Sequence, residues 1–337
     1  VRDDIWNYDP EEANEIIEYV ERERLAVVSA LLASPSIDLN VQNIQLDTPL
    51  HLVKYDQYNS IVIVSRLLEQ GADIFARNQE GRTALHLACS AGALPIVEEL
   101  LDRGCSIDTT DYQGLNALHL AVRGGQHETV QAIFSRDEKL AEFYCRNKDT
   151  VGRTLLHHHL QADFSNTEMI ELLLTYGARM SSTDNKGDTP LSIYLGKSIF
   201  FESRTETCRL LLQHGADPLW TNPEGRTLAH LTVRSHKAEL GVLEVFSDHG
   251  LDLSIKDRSG KGILHHGAIG GSMSMEILTF LYERNLLELH DTDIDGKTPL
   301  DYAFEAAKTE RSPDLFYGDR WKHTWENLQS FVSMAFP

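Results

Sequence analysis

Apolar residues in this chain come in two alternating kinds of group, each set in a polar frame. The first kind is short. It sits inside a phrase that reads Thr48-Pro49-Leu50-His51, Thr83-Ala84-Leu85-His86, Asn116-Ala117-Leu118-His119 and Thr154-Leu155-Leu156-His157. The phrase continues, more altered, as Thr189-Pro190-Leu191-Ser192, Leu228-Ala229-His230, Ile263-Leu264-His265 and Thr298-Pro299-Leu300-Asp301. The second kind is longer and closes on a glycine, as in Leu67-Leu68-Glu69-Gln70-Gly71, Leu100-Leu101-Asp102-Arg103-Gly104, Leu173-Leu174-Thr175-Tyr176-Gly177 and Leu211-Leu212-Gln213-His214-Gly215. The pattern predicts a short helix, a longer helix and a loop in each copy. Thr suits the N-cap of the short helix and Pro its first position, while the closing Gly is a C-cap signal.

The fourth position of the phrase advances by 35, 33, 38, 35, 38, 35 and 36 residues. A period of this size marks a solenoid, because one such unit cannot bury its apolar face alone and must stack on its neighbours. Two residues before the Thr position stand Gly81, Gly114, Gly152, Gly187, Gly225, Gly260 and Gly296, with Leu46 in the first copy. A turn that needs a positive φ accounts for them.

Phrase, spacing, glycines and the Leu-Leu-x-x-Gly-Ala-Asp endings together resemble the ankyrin repeat, over residues 36–310. The resemblance implies an all-α ankyrin-repeat solenoid of L-shaped units, each with two antiparallel helices and a β-hairpin-like loop. It also implies a concave face that binds protein partners. Ser192 and Asp301 depart from the histidine, and the longer spacings place insertions near 135–148 and 198–206.

Terminal repeats need a polar outer face and are atypical. Residues 1–35 read as an N-terminal helical cap, with Ile16, Ile17 and Val20 on one helix and Leu25, Val28, Leu31 and Leu32 on the next. Residues 311–337 read as a C-terminal capping helix, on which Trp321, Trp325, Leu328, Val332 and Ala335 share a face. Self-association through that helix is the alternative, since aromatic anchors suit such contacts.

Composition adds limits. Lys and Arg number 31 against 51 Asp and Glu, a net charge of −20, which argues against nucleic acid as a partner. No apolar run is long enough to span a membrane, and the acidic opening Val-Arg-Asp-Asp is unlike a secretory signal. Cys89, Cys105, Cys145 and Cys208 form neither a metal spacing nor a disulfide framework, and no Asn-x-Ser/Thr acceptor occurs. An intracellular location follows, cytoplasmic or nuclear.

The 15 histidines raise a metal hypothesis, led by His157-His158-His159 and His265-His266. Consecutive helical positions point about 100° apart and cannot converge on one ion. Six of the histidines belong to the phrase itself, where the resemblance gives them a loop hydrogen-bonding role. No nucleophile elbow or phosphate loop is present. No catalytic residue, cofactor or metal is assigned.

The residue between Gly and Thr is basic in five copies: Arg82, Arg153, Arg226, Lys261 and Lys297. Stacking would line these up along the hairpin edge. The expected contacts are Arg82, Tyr112, Arg123, Arg153, Lys186, Arg226, Arg258 and Lys261, with another protein or an acidic peptide as partner. The competing reading pairs these cations with Asp111, Asp149, Asp184, Asp257 or Asp293. The expected function is a non-catalytic interaction scaffold or adaptor. Two alternatives stay open: an enzymatic or small-molecule site in an insertion, and a regulatory fragment of a larger multidomain protein.

Overall fold

The computed structural model describes residues 26, 27, 30, 37–55, 60–162, 166–197, 204–235, 238–309 and 320–335. Among them it forms sixteen helices and no paired strands, only the isolated antiparallel bridges Thr110–Asn116 and Thr221–Thr227. The all-α class is as expected, with hairpin loops held by backbone turns rather than by a sheet. The expected N-terminal cap lies almost wholly outside the described residues. The chain divides into two compact units, Val1–Ala141 and Glu142–Pro337.

In the first unit lie α1 (Ser60–Glu69), α2 (Ala84–Ala91), α3 (Leu94–Asp102), α4 (Ala117–Arg123) and α5 (His127–Arg136). The short helices α2 and α4 pack on each other, and the longer α1, α3 and α5 pack in sequence. Each long helix buries one stripe, as with Ile96, Val97 and Leu100 of α3. The short helices are buried on most sides, which explains their small residues: α2 buries Ala84, Leu85, His86, Ala88 and Cys89. Cys89 thus fills the small, buried slot expected of it. The insertion near 135–148 is a further helix, α6 (Glu138–Arg146), which buries Ala141, Tyr144 and Cys145.

The second unit repeats the plan. Short helices α7 (Leu155–Gln161), α9 (Pro190–Gly196), α11 (Leu228–Arg234), α13 (Ile263–Gly270) and α15 (Pro299–Thr309) pack one on the next. The longer partners are α8 (Thr167–Thr175), α10 (Arg204–Gln213), α12 (Leu240–Asp248) and α14 (Met275–Glu283). Of the second insertion only 204–206 is described, and it opens α10. There Arg204 is buried and donates to the carbonyl oxygens of Leu195 and Lys197. It thereby satisfies the end of α9, where no left-handed glycine stands.

The last helix, α16 (Arg320–Ala335), packs on α13, α14 and α15. Its buried residues are Thr324, Leu328 and Phe331, so the packed face is turned from the expected stripe, of which only Leu328 is central. The turn has a polar cause. Thr324 Oγ1 accepts the Met273 N–H at 3.3 Å, Asn327 Nδ2 donates to the Met273 carbonyl at 2.9 Å, and Trp321 Nε1 donates to Ile269 O at 3.0 Å. The tryptophans are left at the rim.

Candidate interaction surface

Every described hairpin is built on one side chain. Three residues before the turn position stand Asn43, Asn78, Asp111, Asp149, Asp184, Asn222, Asp257 and Asp293. In each, Oδ1 accepts the backbone N–H groups two and four residues on, at 2.8–3.1 Å. This is the Asx-turn logic, in which a short polar side chain substitutes for a backbone acceptor. The turn position has φ between +73° and +84° in the seven glycine copies, and Leu46 carries φ +59° in the first. Neighbouring tips are linked by single backbone bonds, Gln79 N–H to Gln45 O at 2.8 Å and Tyr112 N–H to Glu80 O at 3.0 Å in the first unit. Asn185 to Val151, Arg258 to Glu224 and Ile294 to Ser259 do the same in the second. The approach is close enough that a Cβ on Gly81 would lie 2.9 Å from the Tyr112 nitrogen.

The phrase histidines tie each short helix to the next hairpin. Nδ1 of His51, His86 and His157 receives the N–H of the capping Thr at 3.3, 3.2 and 3.1 Å. Nε2 donates to a carbonyl oxygen of the following repeat: His51 to Arg82 at 2.9 Å, His86 to Leu115 at 3.3 Å, His157 to Asp188 at 3.1 Å and His265 to Lys297 at 3.1 Å. An acceptor at Nδ1 and a donor at Nε2 define one neutral tautomer. Burial accordingly pushes the pKa of His86 and His265 down, and that of His157 and His230 down to about 4.

The second carboxylate oxygen of the hairpin Asp takes further partners. Arg82 reaches Asp111 at 3.4 Å, Arg153 reaches Asp184 at 3.4 Å, Arg226 reaches Asp257 at 3.7 Å and Lys261 reaches Asp293 at 2.7 Å. In each case the cation follows the turn Gly of one repeat and the buried carboxylate belongs to the next. Where that residue is the acidic Asp47, the next repeat offers Asn78, whose Nδ2 donates to it at 3.1 Å. From within the same repeat, nine residues on, His158 reaches Asp149 at 2.8 Å, His266 reaches Asp257 at 3.0 Å and the Tyr302 hydroxyl donates to Asp293 at 2.6 Å. Burial opposes ionisation of Asp257, but bonds from Ser259, the Lys261 N–H and His266 outweigh it and hold the carboxyl at about 2. Burial pushes His266 down to about 3. The pair is therefore a neutral imidazole donating to a carboxylate. His159 is also satisfied internally, with Nε2 bonded to Asn166 O at 3.1 Å. Among the described residues no group of His, Cys, Asp and Glu is arranged to hold a metal.

The eight expected contact residues thus separate into two sets. Arg82, Arg153, Arg226 and Lys261 are partly buried and pair with the next repeat. Tyr112, Arg123, Lys186 and Arg258 are exposed. Tyr112 and Arg258 stand on hairpin tips, Arg123 ends α4 and Lys186 precedes the turn glycine. The competing expectation, that the cations pair with the hairpin Asp residues, holds at Asp111, Asp184, Asp257 and Asp293; what the sequence reading lacks is the turn-building role of these residues, which repeat with the same spacings as the phrase. The four cysteines are free and buried. Burial pushes Cys105 up to about 11 and Cys145 and Cys208 up to about 12, so none is a reactive thiolate at neutral pH.

Stacked helix pairs joined by Asx-turned hairpins define a repeat protein of the ankyrin class. The family model of ankyrin repeats (3 copies) matches residues 16–111, 57–142 and 118–219, which together cover more than half of the chain, and the chain belongs to this family. It is similar to the proteins called Ankyrin repeat and SOCS box protein 6 in Homo sapiens and in Pongo abelii, each 31% identical over 118 residues. Those matches cover 30% of this chain and 28% of each relative. Ankyrin repeats generally mediate protein–protein interaction. No helix among the described residues is long and apolar enough to cross a membrane.

Proposed function

We propose that this chain is a non-catalytic recognition module, intracellular, which binds acidic segments of a protein partner through the hairpin tips and short helices within each of its two units. The observation that carries the reading is the division within the hairpin edge. The phrase residues and, among the Gly-flanking cations, Arg82, Arg153 and Lys261 are engaged in holding repeats together. Tyr112, Arg123, Lys186 and Arg258 are exposed side chains with no hydrogen bond or ion pair among the described residues. Within each unit the stacked repeats fix such residues before a partner arrives, which reduces the ordering cost of binding. The relatives' name joins ankyrin repeats to a further element, the SOCS box; an adaptor or regulatory segment of a larger protein fits the same reading. The helix α16 is the cap of the last repeat in this scheme.

The test is a bait comparison. Wild-type protein and the triple variant Arg123→Glu/Lys186→Glu/Arg258→Glu are used to capture proteins from cell extract at low and high salt. The reading expects salt-sensitive partners with acidic segments that the variant fails to retain while keeping its circular dichroism spectrum. Equal capture by both baits would remove this surface from recognition.

A further inference from the structure

In two repeats of the second unit, the residue after the turn Gly contacts the residue eight positions later, at the end of the short helix or on it. Arg153 Nη1 donates to Gln161 Oε1 at 2.6 Å, and Lys297 Nζ pairs with Glu305 at 2.6 and 2.9 Å. In both repeats the cation finds an internal acceptor. The same two positions in a third repeat of the second unit are Arg226 and Arg234. There the pairing is of like charges.

One carboxylate, Asp257, is all that the described surroundings offer the two cations. Asp257 is the neighbouring carboxylate, but its Oδ1 accepts from Ser259 N–H, Ser259 Oγ–H and Lys261 N–H, and its Oδ2 from His266. Arg226 stands 3.7 Å from that oxygen, and its buried Nε makes no hydrogen bond; Arg82 and Arg153 bond to their carboxylates at 3.4 Å. Arg234 has no hydrogen bond or ion pair to an acid among the described residues. Burial lowers its pKa first and the nearby Arg226 lowers it further, while Asp257, shared with Arg226, offsets these only in part. The residues that follow, Ser235-His236-Lys237, supply no acid.

We propose that Arg226 and Arg234 form a seat for one carboxylate of the partner, an Asp or Glu side chain, which takes the place that Glu305 fills beside Lys297. The inference rests on the reading of this edge as a surface for an acidic protein segment. Charge selects the ligand class. Two guanidiniums against one carboxylate leave a single positive charge, which one carboxylate neutralises and a phosphate dianion would overfill. The planar forks of two arginines suit the two oxygens of a carboxylate.

The probes are Ac-(Gly-Glu)4-NH2, its glutamine counterpart, and the same peptide with one glutamate replaced by phosphoserine. They are titrated into the full chain carrying 15N-labelled arginine and followed at the side-chain Nε–Hε signals and the backbone amides. Saturable shifts of the Arg226 and Arg234 signals are expected with the glutamate peptide and not with the glutamine one. Arg234→Gln, which copies the Arg153–Gln161 arrangement, should weaken binding about tenfold, the loss of one charge-assisted bond. Arg234→Glu, which copies the Lys297–Glu305 arrangement, should abolish the shifts and raise Tm by roughly 2–4 °C as repulsion becomes attraction. A lower Tm for Arg234→Glu, or unchanged affinity for Arg234→Gln, overturns the seat. Shifts at Lys186 or Arg258 with Arg226 and Arg234 unmoved overturn the seat and leave the acidic-partner reading standing. Tighter binding of the phosphorylated peptide overturns the carboxylate assignment, and no shift with any peptide overturns both readings.

Discussion

His157 carries the clearest energetic consequence of the repeat. Its ring is fully buried. Nδ1 is the acceptor for the Thr154 N–H at 3.1 Å, and Nε2 donates to Asp188 O at 3.1 Å, in the next repeat. His157→Ala leaves the buried Thr154 N–H without its partner, which costs about 1–3 kcal/mol. Asp188 O still accepts the Asp184 N–H at 2.9 Å, so the bond lost there is worth only about 1 kcal/mol. The space left by the ring adds roughly 1 kcal/mol. The sum is about 3–5 kcal/mol. His157→Ser divides it. Ser192 occupies the same place in the following repeat, where its hydroxyl accepts the Thr189 N–H at 2.9 Å. Serine should therefore keep the cap and lose only the inter-repeat bond and the packing, about 2 kcal/mol. Arrays of repeats need not unfold in one step. Urea unfolding by circular dichroism is therefore paired with hydrogen exchange at the Thr154 and Asp188 amides. A loss under 1 kcal/mol for His157→Ala, or equal losses for Ala and Ser, would refute the division into cap and staple.

Acid should weaken the second unit. His157 and His230 have pKa values of about 4 when folded, against 6.5 in the unfolded chain, so the unfolded chain binds more protons between those values. Their stabilisation is full above pH 6.5 and is lost as pH falls toward 4, about 3 kcal/mol for His157; a urea midpoint that stays flat from pH 7.5 to 4.5 contradicts the neutral tautomer. Gly81→Ala should destabilise more than Gly104→Ala by at least about 1 kcal/mol. Both glycines have positive φ, but only at Gly81 does a neighbouring backbone nitrogen crowd the new Cβ; equal melting temperatures would show that the hairpin tips give way. Arg204→Met should cost about 3 kcal/mol by stripping the donors from Leu195 O and Lys197 O at the buried end of α9. A fall in exchange protection confined to α9 and α10 is the expected signature, and an unchanged denaturation curve would assign Arg204 no capping role.

The period, the helix pairs and the turn glycines were legible in the sequence because each answers to local chemistry. A capping Thr, a Pro at the first position and a positive-φ Gly need no knowledge of neighbours. The role of the phrase histidines was legible only through the family resemblance, since their carbonyl partners lie in the next repeat. Five of the hairpin Asp residues were legible as partners for the cations, but their role as acceptors for the turn N–H groups was not, although they repeat at the phrase's own spacing. The face of α16 was legible in part: Leu328 is buried and Trp321, Trp325 and Val332 are half-buried, but Thr324 and Phe331 pack deeper than the tryptophans, which hydropathy does not anticipate for Thr. The actual register is set by bonds to the Met273 loop, and apolar periodicity carries no information about such bonds.

The contact residues were hard to separate for a physical reason. A basic residue between Gly and Thr looks the same in every copy, yet its availability depends on two other positions, the Asp or Asn of the next hairpin and the residue eight places on. Arg153 meets Asp184 and Gln161, and Lys297 meets Glu305, so both are committed within the protein. Arg226 meets an Asp257 already engaged by four donors from three residues, and then meets Arg234. Identical local sequence can therefore serve the frame in one repeat and a partner in another. The deciding observable is how many acceptors the stacked structure leaves for each cation. On that measure Arg226 and Arg234 are the pair whose charge the described residues do not balance, and a stability gain for Arg234→Glu coupled to lost binding would show that the array gives up internal pairing there for recognition.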